Sequence, residues 1–205
     1  MWKTYNVTMH FISPFAASTP KNPKDIEAMI VNRAPARPPE NAVPLEDLTA
    51  RMIEEAQASE EAERGYATFL SNDNGLYYEA RCVRGHIKDC ANVLQAQLGV
   101  KALKSKVANR VYVQPARLYL DKQAPDGNET RIIHALTPKG PRSSFKTIDY
   151  VDKAVLNFQL KVLDDGVVTE EILQAIFDYG SVHGMGQERS QDWGKYDYTL
   201  SRAVA

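Results

Sequence analysis

The chain is poor in cysteine, carrying only Cys82 and Cys90 in 205 residues. That is too few for a disulfide-stapled scaffold, and no Cys or His group shows metal-ligand spacing. No apolar run approaches the roughly 18 residues that a membrane-spanning helix needs. The opening Met1-Trp2-Lys3-Thr4-Tyr5-Asn6 lacks the apolar stretch of a secretion signal. A Walker loop and a dinucleotide fingerprint are missing too, because the glycine-rich segment near residue 184 precedes an expected strand and not a helix. Net charge is almost nil, with 25 Lys plus Arg against 26 Asp plus Glu. These absences argue against membrane, disulfide-rich, metal-dependent and nucleotide-cofactor classes. A chain that is 43% hydrophobic has enough apolar material for a core. The expectation is one cytoplasmic domain spanning 1–205 with an insertion, and neither cofactor nor metal.

The charges that are present are unevenly spread. Between Arg81 and Lys146 stand 13 Lys plus Arg against four acids, a local excess of +9. The rest of the chain carries -10, much of it between Glu40 and Glu63, where eight acids face only Arg51. Local charge, not the total, sets the field a polyanion meets, so a basic middle in a neutral protein can build a phosphate-binding groove. Solvated faces that folding intermixes would give the same count.

Tyr5, Val7, Met9 and Phe11 alternate with polar residues, the period of a half-buried strand. Seven prolines between Pro14 and Pro44 exclude a continuous helix, so 13–44 reads as an extended arm. Leu45, Leu48, Met52, Ile53 and Ala56 predict an acidic helix over 45–63. A turn at Ser71–Gly75, an extended stretch over 76–83 and a helix carrying Ile87, Cys90, Ala91 and Leu94 follow. Lys101–Arg110 reads as a basic connector. Val111–Leu120 and Arg131–Thr137 read as a hairpin, and Lys139–Lys146 as a second basic loop. Leu156, Phe158, Leu160 and Val162 predict a strand. Thr169 is expected to cap a helix that ends at Gly180, and Trp193–Leu200 forms the last strand. The order suits an α+β fold, an antiparallel sheet with helices on one face.

The most informative segment is Gly184-Met185-Gly186-Gln187-Glu188-Arg189-Ser190-Gln191-Asp192-Trp193-Gly194-Lys195-Tyr196. Glycines let backbone N–H groups approach a ligand, and consecutive amides make an anion-binding concavity. Arg189 and Lys195 add charge, and Trp193 or Tyr196 a surface on which a base can stack. A tight turn between helix and strand explains the same glycines. A second segment, Val83-Arg84-Gly85-His86-Ile87-Lys88-Asp89, has a glycine ahead of an expected helix start, where free amides and Lys88 suit a phosphate.

Together these segments resemble the RAMP superfamily, the RNA-binding subunits of CRISPR effector complexes. That family places Gly-hydrophobic-Gly, Arg-Ser and a Gly-aromatic-Gly-basic-aromatic run after its last helix. Gly184, Met185, Gly186, Arg189, Ser190, Trp193, Gly194, Lys195 and Tyr196 fit, and Asp192 stands where a glycine is usual. The resemblance covers about residues 76–200 and the strand at Tyr5; the arm and the acidic helix have no counterpart in it. It implies a ferredoxin-like (RRM-type) core with long insertions, and single-stranded RNA and other protein subunits, or further copies, as partners. It makes Arg84, Gly85, Lys88, Lys101, Lys104, Lys106, Arg110, Lys139, Arg142 and Lys146 candidate RNA contacts beside the glycine loop.

Some relatives in that superfamily cut RNA without metal. Such cleavage needs one group to take the 2′-hydroxyl proton and another to protonate the leaving oxygen. His183, directly before the loop, and His86 are the candidates here, whereas His10 and His134 fall on strands. The reading is therefore non-catalytic binding of single-stranded RNA. Metal-free endoribonuclease activity, or a protein-interaction subunit that joins or blocks a ribonucleoprotein complex, are the alternatives.

Overall fold

The computed structural model describes residues 1–21, 66–137 and 140–203, with the side chains of 132–137 and 140–145 left aside. The acidic helix over 45–63, Lys139 and most of the proline-rich arm lie outside the described residues. Those residues form a mixed α+β structure with antiparallel sheets and three α-helices. Among the described residues no helix is long and apolar enough to cross a membrane.

The described residues divide into two compact units, one of 1–16, 69–127 and 150–203, the other of 17–21, 66–68, 128–137 and 140–149. The first is built on a four-stranded sheet. Its strands are β1 (Trp2–Phe11), β7 (Val111–Gln114), β11 (Val155–Leu163) and β12 (Tyr196–Arg202), in the order β12-β1-β11-β7. Each neighbouring pair is antiparallel. Register follows the hydrophobic alternation: Tyr5, Val7 and Met9 lie opposite Leu160, Phe158 and Leu156, and all six are buried. Two helices, α1 (Ala80–Leu94) and α3 (Glu170–His183), contribute Val83, Ile87, Leu173, Ile176 and Phe177 to the same core. Thr169 caps α3 as expected, its Oγ1 accepting from the Ile172 N–H at 3.4 Å. A three-stranded sheet of β5 (Leu70–Asn72), β6 (Gly75–Glu79) and β8 (Arg117–Tyr119) completes the unit, with β2 (Phe15–Ala16) paired to residues 150–151.

In the second unit β4 (Tyr66–Thr68) pairs antiparallel with β3 (Thr19–Pro20), and parallel with β10 (Gly140–Val151) at Thr147 and Ile148. β9 (Gly127–Thr137) pairs with β10. Asp149 is buried there, accepting 2.7 Å hydrogen bonds from the hydroxyls of Tyr66 and Thr68.

Several expectations are corrected. The arm does not begin at Ser13, because Phe15, Ala16 and Ala17 are fully buried and β2 and β3 join ladders. The stretch expected extended over 76–83 turns helical at Ala80, so Gly85 lies inside α1 and not ahead of its N-terminus. Lys101–Arg110 holds a helix, α2 (Leu103–Arg110), anchored by buried Leu103 and Val107 one turn apart. The expected hairpin is replaced: β7 joins the four-stranded sheet and β8 the three-stranded one, while β9 finds its partner in β10. Arg142 and Lys146 thus sit on a strand and not in a loop. Helix α3 runs past Gly180 to His183. Gly180 is needed for space, since a Cβ there would lie 2.4 Å from Tyr196 Oη and 2.7 Å from His86 Nε2. The last strand starts at Tyr196, leaving Trp193 in the preceding loop.

Candidate functional site

The glycine loop is shaped by two backbone segments that cross at close range. The Met185 N–H donates to Gly194 O at 2.9 Å, and Gly194 N–H donates to Pro14 O at 2.8 Å. A Cβ on Gly194 would fall 1.8 Å from Met185 O, and one on Gly184 2.5 Å from Trp193 O. Both glycines also hold φ above +70°. They are therefore required by the chain crossing itself. Gly186 likewise packs against Phe15 and Ala16 O. Asp192, standing where the motif usually has glycine, adopts φ +64° and pairs with Lys195 Nζ at 2.7 Å. Aspartate tolerates that left-handed backbone better than most residues.

Between the two anchored segments a short 3-10 turn, Arg189–Gln191, projects outward with Ser190 exposed at its surface. Arg189 reaches back across α1 and α3. Its Nη1 donates to Asp89 Oδ2 at 3.2 Å and to His183 Nε2 at 2.9 Å. Beside it opens a cleft of about 330 Å³. Gly85, His86 and Lys88 of α1, Lys104 of α2 and Gly186 and Arg189 of the loop line it, with Asp89 its acid. Residues from three separate chain segments thus converge, with three cations against one carboxylate. Gly85, inside the helix, offers no amide to a ligand but leaves the cleft wall bare, since nothing lies within 4 Å of a Cβ built there.

Two imidazoles stand behind this wall. His86 is buried and its Nε2 lies 2.9 Å from Tyr196 Oη. Burial, and after it the charge effects of His183 and Arg189, push its pKa down to about 4. The rings of His86 and His183 lie nearly parallel with centroids 6.4 Å apart, and Tyr179 stacks on His183. His183 is also held below its ordinary pKa, by partial burial first and by Arg189 second, with Asp89 opposing. Accepting from Arg189, its Nε2 carries no proton.

Other expected contacts lie elsewhere. Arg84 donates to Ala108 O and covers the ring of Tyr112, with its Cζ 4.7 Å from the centroid. Arg110 is paired with Asp165 at 2.6 Å. Lys101 is exposed before α2, and Lys106 is half-buried on it. Arg142 and Lys146 belong to β10, and the strand residue His134 to β9. The expected stacking surface is corrected: Trp193 is only 9% exposed with its ring edge-on to Tyr150, and Tyr196 is 1% exposed. Their apolar rings fill the core under the loop, where alternation alone cannot separate them from surface aromatics. Asp89, which directly follows Lys88 in sequence, is a cleft residue that the sequence pattern does not mark. Among the described residues no group of three or more His, Cys, Asp or Glu is placed to hold a metal ion.

No protein-family model matches the chain, and no curated protein matches its sequence. Among solved structures, a chain of the cryo-EM structure of Type III-B Cmr-beta bound to cognate target RNA is similar, with a TM-score of 0.48 and 10% identity. The match covers 99% of this chain and 62% of that one, so this chain spans less than two thirds of that protein's length.

Proposed function

We propose that this protein binds single-stranded RNA along its sugar-phosphate backbone, without cutting it, through the cleft of Lys88, Lys104 and Arg189. The observation that carries this reading is the convergence of those three cations, from α1, α2 and the glycine loop, on one concave surface. A groove lined by one sign of charge concentrates a polyanion there, and backbone contacts bring little base preference. In the same reading the core is ferredoxin-like and distantly of RAMP type. What supports it is the order β1-α1-β7-β11-α3-β12 with sheet order β12-β1-β11-β7, the pattern expected of a split βαβ arrangement. The remaining strands are insertions between its elements. Association with other subunits or further copies along the RNA belongs to this reading as well.

Binding is favoured over cleavage by the state of the two histidines. His86 is neutral and turned to Tyr196, and the Nε2 of His183 is occupied by Arg189. In both residues the Nε2 atom already has a partner within the protein.

The test is fluorescence anisotropy of a labelled single-stranded RNA titrated at low and moderate salt, with wild type and with Lys88→Ala/Lys104→Ala/Arg189→Ala. Wild type is expected to bind with an affinity that falls steeply with salt. The triple variant should lose most of it and show a shallower salt slope, by about 0.7 per phosphate contact removed. Equal affinity in the two proteins overturns the proposal. Cleavage of the RNA that persists in EDTA would replace it with the endoribonuclease reading.

A further inference from the structure

The burial of Trp193 and Tyr196 leaves the largely buried Tyr78 as the tyrosine lining the cleft, and the first unit exposes aromatic rings elsewhere. Among the described residues the exposed aromatic side chains are Trp2, 50% exposed, and Tyr112, 39% exposed. They lie 110 residues apart in sequence and meet edge to face, with ring centroids 5.6 Å apart at 76°. Tyr112 sits on β7, the edge strand of the four-stranded sheet. The guanidinium of Arg84 lies over its ring, and the Nε of Arg84, buried without a hydrogen-bond acceptor, belongs to that group facing the π-cloud. Arg84 and Tyr112 line a second hollow of about 380 Å³ with Arg81, Val113 and Gln114, and Glu79 of that hollow is paired with Arg81.

Helix α1 joins this hollow to the cleft. Arg81, Arg84 and Lys88 recur at i, i+3 and i+7, so they form one basic stripe along a face of the helix. Arg84 and Lys88 are about 6 Å apart along its axis. Arg84 lines the aromatic hollow and Lys88 the phosphate cleft. A flat, neutral ring tethered to an anion is the ligand chemistry this pairing fits. The exposed ring of Trp2 and the stacked pair of Arg84 and Tyr112 offer it flat surfaces, and the stripe carries its phosphates.

We infer that Trp2, Tyr112 and Arg84 form a nucleobase-stacking site, which takes an unstacked base of the same RNA strand that Lys88 holds by its phosphates. This rests on the RNA-binding reading and adds to it a contact with bases. Since every base has a π-face, the site gives affinity without reading sequence.

The experiment compares wild type with Trp2→Ala/Tyr112→Ala and Trp2→Leu/Tyr112→Leu. The ligands are a labelled single-stranded RNA carrying 2-aminopurine and an abasic strand of the same length. Both rings are exposed, and the Leu pair keeps apolar volume while removing the π-face, so loss of fold and loss of stacking are told apart. Wild type should quench the 2-aminopurine. Both double variants should bind the RNA about tenfold more weakly, without quenching, while all three proteins bind the abasic strand alike. If wild type binds the RNA and the variants bind it equally well, the stacking site is overturned and the backbone reading stands. If the variants keep RNA affinity and lose self-association in sedimentation, the surface is a protein contact and the inference fails. If wild type binds neither strand, the RNA-binding reading falls, and this site falls with it.

Discussion

His86 on α1 and Tyr196 on β12 meet in the core through a 2.9 Å contact between Nε2 and Oη. It is a polar link inside an otherwise apolar layer, and it ties the helix that lines the cleft to the strand that follows the glycine loop. Burial pushes the Tyr196 phenol above its ordinary range, so it stays protonated. Replacing Tyr196 with Phe keeps the ring and strands a buried imidazole nitrogen. The expected cost is about 1–3 kcal/mol, measured as a lower urea midpoint at neutral pH.

The same imidazole makes stability depend on pH. Folded, His86 takes up its proton near pH 4, whereas in an unfolded chain it does so near 6.5. Between those values the unfolded state binds more protons, so stability is complete above about 6.5 and declines as pH falls towards 4. The contribution at stake is on the order of 3 kcal/mol. Urea unfolding from pH 7 to pH 4 should show this decline, and His86→Gln should flatten much of it.

Gly85 of the cleft and Gly194 of the chain crossing should respond to substitution in opposite directions. Gly85→Ala places a methyl in open space within α1 and is expected to raise stability by about 0.5–1 kcal/mol. Gly194→Ala drives a Cβ onto Met185 O at a left-handed φ, and should cost roughly 3 kcal/mol or more. Thermal melts of the two variants check both signs.

Asp89 is the acid of the cleft and holds Arg189 at 3.2 Å. Its side chain is half exposed, so Asp89→Asn should change stability by less than about 0.5 kcal/mol. Removing that charge leaves three cations unopposed. RNA affinity at low salt should rise about two- to tenfold, and the gain should shrink as salt is added. Anisotropy titrations at two ionic strengths measure it.

Alternation made the core strands readable: β1 and β11 each bury one face, and the period marks which residues do so. The cap at Thr169 was readable for an equally local reason. The start of α1 was not, because Glu79 gives it no side-chain cap, so Gly85 stood out as the only punctuation. Helix α2 hides in a lysine-rich stretch that has only two buried residues. Strand β10 pairs with its sequence neighbour β9 and also with β4, a partner distant in sequence. Lys88, Lys104 and Arg189 were each visible as cations, but their meeting depends on how α1, α2 and the loop pack. In the glycine motif, the tight-turn explanation of the glycines has its physical basis in Gly184 and Gly194, where the chain crosses itself.

That crossing separates framework from fingertip. With Met185 and Gly194 bonded to each other, residues 187–192 form a loop whose base stays fixed whatever its tip contains. A different set of side chains in place of Glu188, Arg189 and Ser190 would meet the same clasped ends, with the loss of the Arg189 contacts to Asp89 and His183. Evolution, or an engineer, has here a replaceable head on a permanent handle.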